Sequence, residues 1–292
     1  MMNEYVIFTD ATIDLPKDLV EKAELEVIPM EFDLDEKSYK LRGDGCELDT
    51  SAFYQALRKG AVARTSQITP AVFVEYFTPI LEAGKDVLYL AFSSGLSGTY
   101  DSSRIAIAEL QEEYPDRKII SVDTLCAASG EGLLVYMAGR MRLEGKSIDE
   151  VAAYVEEKKM NVCHLISVDD LNHLKRGGRI SATSATLGMA LNIKPMLKVD
   201  ENGKLVVTDK VRGKKKIEAS FLDKFEQKFL PEESDTIFVS HADCFEDAKR
   251  MQQLIQERYP NHQVVITEIG PVIGAHTGQG TLLLLFFGQN RQ

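Results

Sequence analysis

No stretch of this chain approaches the roughly 18 consecutive apolar residues of a membrane-spanning helix. The longest apolar run, Thr281 to Gly288, is far too short. The opening residues, Met-Met-Asn-Glu-Tyr, have neither the basic start nor the apolar core of a secretory signal. Cysteine is scarce: Cys46, Cys126, Cys163 and Cys244 are the only four in 292 residues, and no two form a Cys-x-x-Cys pair. That excludes a disulfide scaffold and leaves no zinc-finger spacing. The five histidines are equally dispersed. Positive charge is in deficit, with 34 Lys and Arg against 45 Asp and Glu, a net of −11. A general nucleic-acid binder needs the opposite balance. These absences predict a soluble cytoplasmic protein with reduced, buried thiols, no structural metal and no integral membrane segment.

What is present is ordinary globular composition, 44% hydrophobic and 27% charged, which excludes extended disorder. The length favours two domains. Up to about residue 160, short apolar runs alternate with amphipathic stretches. Tyr5 to Phe8, Glu26 to Leu34, Val87 to Phe92 and Lys118 to Val122 read as strands. Leu15 to Ala23 (opened by Asp14), Thr50 to Leu57, Pro70 to Gly84, Ser97 to Glu113 and Gly130 to Leu143 read as helices. Ser147 with Glu150 three residues later marks a capping box. Such alternation implies a mostly parallel sheet flanked by helices.

The second half reads as mixed α+β. Strands Ile193 to Val199 and Leu205 to Val211 flank Asn202-Gly203, a strong hairpin signal. Helices are expected over Asp169 to Lys175, Ser181 to Leu191, Lys214 to Phe229 and Asp243 to Tyr259. Strands are expected over Val162 to Val168, Thr236 to Ser240, Gln263 to Ile269 and Thr281 to Phe287. The expected division is residues 1–160 and 161–292.

Ligand sites in open α/β sheets lie at the carboxyl ends of strands, which nominates four segments. Asp10, after the first strand, has the placement of a metal ligand or nucleophile, or organises the turn with Thr12. Thr65, Ser66 and Thr69 offer hydroxyls just before a helix. In Ser93-Ser94-Gly95-Leu96-Ser97-Gly98-Thr99, glycines and a helix start suit one anion. The segment has neither a Walker lysine nor a Gly-x-Ser-x-Gly elbow. Gly270 to Gly280, four glycines around His276, reads as a shaped loop. Residues 175–216 hold eleven Lys or Arg against three acids, a local +8 that leaves −19 for the rest. Such an island suits docking to an acidic partner, or is simply a solvated face.

These segments together resemble the DegV family of bacterial fatty-acid-binding proteins. The matching text is Thr9 to Pro16, Thr65-Ser66-Gln67, Ser93 to Thr99, Asp123 to Gly132, Lys175 to Ser181, Ile193-Lys194-Pro195 and Gly270 to Gly278. The resemblance implies two α/β domains with a long-chain fatty acid between them and no further cofactor. Thr65 and Ser97 would bind the carboxylate, helped by Ser66, Ser94 and Gly98, with His276 close by. Arg176 and Arg179 would face a fatty acid kinase, and the protein would have no catalysis of its own. Ala11, Ile68 and Gln279 depart from the family pattern, where serine, proline and proline are usual. An enzyme acting on a small phosphorylated or acyl substrate at Ser93 to Thr99 is the alternative.

Overall fold

The computed structural model describes residues 4–181 and 193–291, so most of the helix expected over Ser181 to Leu191 lies outside the described residues. The fold is α/β, with three sheets. Strands β1 (Tyr5–Asp10), β2 (Glu26–Ile28), β7 (Asp86–Ala91) and β8 (Ile119–Asp123) form a wholly parallel sheet in the order β2-β1-β7-β8. All six residues of β7 are buried, as a central strand covered on both faces requires. Helices α3 (Pro70–Glu82), α4 (Thr99–Glu113), α5 (Ser129–Leu143) and α6 (Ile148–Lys158) follow the expected order, and both halves of the Ser147/Glu150 capping box are made.

Three local expectations fail for identifiable reasons. The run Glu26 to Leu34 is two strands, because Pro29 interrupts the hydrogen-bond ladder. β2 stays in the parallel sheet. β3 (Met30–Leu34) joins β4 (Lys37–Arg42), β5 (Gly45–Cys46) and β6 (Ala63–Thr65) in a small antiparallel sheet. Second, Asp14 does not cap α1 (Lys17–Lys22). It has a left-handed backbone, φ 46°, and Pro16 takes the cap position. Third, the glycine-rich segment is not a loop. Pro271 starts a short helix, Pro271–Thr277, and His276 lies in its last turn.

The C-terminal sheet is mixed, in the order β11-β10-β9-β14-β12-β13. Its central strands β9 (Val162–Ser167) and β14 (Leu282–Phe287) are buried throughout and run antiparallel. β12 (Thr236–His241) and β13 (Gln263–Glu268) form the parallel edge. β10 (Ile193–Val199) and β11 (Leu205–Arg212) form the expected hairpin. Its tip reaches the N-terminal part, where the Ser93 hydroxyl donates to Gly203 O at 2.8 Å. One apolar cluster joins both parts, with Phe53, Leu133, Ile166, Ile269 and Leu283 among its members. A second, around Phe221, Phe225 and Phe286, lies against the mixed sheet. Among the described residues no helix is long and apolar enough to cross a membrane.

The short helix carrying His276, α10 in chain order after α7 (Leu171–Arg176), α8 (Lys214–Lys228) and α9 (Phe245–Arg258), is fixed by N-terminal side chains. Tyr54, in α2 (Thr50–Arg58) and fully buried, donates to Ile269 O at 2.7 Å. Asp14 Oδ1 accepts the Gly270 N–H at 2.9 Å. A side chain at Gly274 would come within 2.4 Å of the Tyr54 hydroxyl, so this helix packs on α2 only as glycine.

Candidate functional site

A cavity of about 190 Å³ lies where the two parts meet, lined by the strand-end segments and the face of β9. Along β9 and the residue after it, His164, Ile166 and Val168 all line it, the period of two that puts alternate residues on one face. Leu205 of the hairpin and Val272 and Ile273 of α10 add carbon.

Thr65 ends β6, and its Oγ1 lies 2.8 Å from His276 Nε2. Ser97 precedes α4; its Oγ accepts the Thr99 N–H at 3.2 Å and lies 2.9 Å from Thr99 Oγ1. Gln67 donates to Ser102 Oγ at 3.0 Å, which stitches the Thr65 segment to α4. Thr65, Ser66, Gln67, Ser97, Gly98 and His276 therefore share one cavity wall. Ser94 does not: it is exposed, outside the lining, and its N–H goes to Asp123 Oδ1.

Arg179 also corrects expectation. It lines the cavity instead of standing wholly on the surface, with its Nε donating to Leu96 O at 2.9 Å. Only Arg176 is exposed, with Nη2 3.0 Å from His173 Nδ1. Burial, then the Arg179 charge, pushes the His276 pKa down to about 4. At neutral pH the imidazole is thus uncharged and Arg179 carries the positive charge. Such a histidine contributes its full stability above its usual pKa near 6.5, and that is lost as pH falls toward 4. Its Nδ1 is buried without a partner. Gly177 closes over it, since a side chain there would come 2.2 Å from Nδ1.

Other polar residues in the lining are bonded within the protein. His164 accepts the Ala127 N–H at Nε2 (3.2 Å) and donates from Nδ1 to Val162 O (3.2 Å); burial above all pushes its pKa down to about 3. Thr277 donates to Ile273 O. Asp10 organises its turn, as one of the two expectations had it: its oxygens accept from Thr12 N, Thr12 Oγ1, Tyr89 and Phe92 N. Among the described residues no group of three or more His, Cys, Asp or Glu is placed to hold a metal ion.

Thr12 Oγ1 lies 2.5 Å from Asp10 Oδ1 and 2.9 Å from Glu131 Oε2, with one proton to give. Thr12 can donate to only one of the two carboxyls; with Asp10 accepting from three further donors, a protonated Glu131 that donates back to Thr12 satisfies all the groups. Burial, then the nearby Asp10 charge, holds the Glu131 pKa well above the usual carboxylate range. The segment Asp123 to Gly132 contains this residue, but nothing in the sequence marks its protonation. Folded protein keeps this proton where the unfolded chain loses it. The associated stability is complete below about pH 4.5 and is lost as pH rises through the folded pKa. Relative to Glu131→Gln, wild type should lose up to about 1.4 kcal/mol per pH unit over that window. Urea midpoints from pH 4.5 to 8 check this; parallel curves for the two proteins would refute a neutral Glu131.

Comparison with known proteins agrees with this architecture. A family model described as "Uncharacterised protein, DegV family" matches residues 4–288. DegV domain-containing protein CPE0026 of Clostridium perfringens is 46% identical over 291 residues, 100% of both chains. A DegV family protein from Thermus thermophilus, described as fatty acid binding, is 30% identical with a TM-score of 0.85, over 98% of this chain and 99% of that one. The fatty acid kinase (Fak) B3 protein of Streptococcus pneumoniae, solved loaded with linoleic acid, shares the fold. Its TM-score is 0.82 at 20% identity, over 97% of this chain and 99% of that one. The chain belongs to the DegV family.

Proposed function

We propose that this protein is a cytoplasmic carrier that binds one long-chain fatty acid in the cavity and presents its carboxylate to a fatty acid kinase, without catalysis of its own. The observation that carries the reading is the division of the lining. Thr65, Ser97, His276 and Arg179 gather at one place, where Thr65 bonds His276 and Arg179 reaches Leu96 O beside Ser97, whereas Thr12, His164 and Thr277 are bonded elsewhere into the protein and leave carbon beside Ile166 and Val272. The acid would lie between two units, residues 1–160 and 161–292, divided at the 3-10 turn Lys159–Asn161 just before β9. Kinase binding rests on the B3 likeness and on exposed Arg176, Lys204, Arg212 and Lys215 in the basic island.

The energetics assign separate roles to tail and head. Burying a palmitate-length tail offers roughly 0.8 kcal/mol per methylene, on the order of 12 kcal/mol before association costs. Each hydrogen bond to the charged head adds about 1.5–3 kcal/mol. Affinity comes from the tail and orientation from the head-group residues. Thr65→Ala combined with Ser97→Ala should therefore weaken acid binding by a few kcal/mol at most. A fatty alcohol of equal length, which lacks the anionic head, should be affected less. Titration calorimetry with both ligands tests this, and equal losses for both would remove these hydroxyls from the head-group site.

A further inference from the structure

The turn between β8 and α5 holds two non-glycine residues in backbone conformations that glycine favours. Leu125 has φ 51°. Ala128 has φ 51° and ψ −147°, a region that side chains with a Cβ avoid. A residue stays there only when its surroundings over-determine it, and here they do. Cys126 O accepts the Ser93 N–H at 3.0 Å, and Leu125 O accepts Arg291 Nη1 at 2.6 Å. The Ala127 N–H is held by His164, and Ser129 Oγ donates to Asp14 O at 3.0 Å. Four separate parts of the chain thus pin a turn of a few residues. Ala128 is 2% exposed and lines the cavity.

We infer that Ala128 is a positioning residue for the bound acyl chain: its methyl is forced into a glycine conformation because it forms part of the wall the tail packs against. The inference rests on the fatty-acid reading above. Glycine at this position would relieve the backbone and remove the wall, so stability and binding should move in opposite directions.

The test compares wild type and Ala128→Gly for melting temperature without ligand and for dissociation of a fluorescent long-chain fatty acid. The expected result is a melting temperature raised by about 1–4 °C with dissociation about four-fold faster, the share of one lost methyl contact. A lower melting temperature would show that no strain is stored at Ala128, and unchanged or slower dissociation would show that its methyl does not support the tail. Either result overturns the inference. If wild type takes up no acid, the carrier reading fails instead, and the melting arm still reports on the strain.

Discussion

Ile166→Trp should weaken fatty-acid binding about 100-fold while leaving the protein folded. Ile166 is 6% exposed, sits one residue before the end of β9 and turns its side chain toward the cavity. An indole there enters space that a tail would fill. Each methylene kept out of apolar contact forfeits about 0.8 kcal/mol. Excluding about four would cost roughly 3 kcal/mol, two orders of magnitude in Kd. The same substitution in a close-packed core would cost about 1–3 kcal/mol of stability through overpacking. Here the added volume enters a void, so the melting temperature should hold. A fluorescent fatty-acid displacement assay and a thermal melt read the two effects. Unimpaired binding would place the tail elsewhere.

The second large effect separates two arginines three residues apart. Arg179→Ala should weaken acid binding by about 10- to 100-fold, since it removes a half-buried charge from the cavity wall and charged hydrogen bonds are worth about 1.5–3 kcal/mol. It should also let the His276 pKa rise, because the Arg179 charge is the second cause of its depression. Arg176→Glu reverses an exposed charge that does not line the cavity, so acid binding should be unchanged while kinase coupling fails. Calorimetry on both variants, with the His276 imidazole followed by NMR against pH, checks the contrast. Equal weakening by the two substitutions would contradict it.

Arg179 also shows how far the sequence could be read. In the linear chain it belongs to a run of basic residues, and such runs are ordinarily solvated. Only the turn after α7, which brings it beside Leu96 O and His276, makes it a wall residue. Strong local signals survived folding intact: the Ser147/Glu150 capping box, the Asn202-Gly203 hairpin and the buried run of β7. Weak or conflicting ones did not. β4 leaves no alternation to read in the sequence, because only Leu41 of its six residues is buried. In sequence the helix carrying His276 reads as a loop, because Gly270, Gly274, Gly278 and Gly280 outweigh Pro271, although Pro271 is a good first helical residue.

The meeting of Thr65, Ser97 and His276 followed from family resemblance, since these residues lie up to 211 positions apart. The apolar lining was hidden for another reason. β9 is buried on both faces, so its pattern shows no difference between His164, Ile166 and Val168, which face the cavity, and Cys163 and Leu165, which pack in the second apolar cluster. The neutrality of Glu131 has no sequence signal because it depends on Thr12 and Asp10, contacts made across the fold.

Native mass spectrometry of the purified protein followed by lipid extraction decides whether the cavity holds a fatty acid. One long-chain acid per chain is expected in wild type, with occupancy sharply reduced in Ile166→Trp. A protein that carries no acid, and takes up neither added palmitate nor added oleate, would contradict the carrier reading.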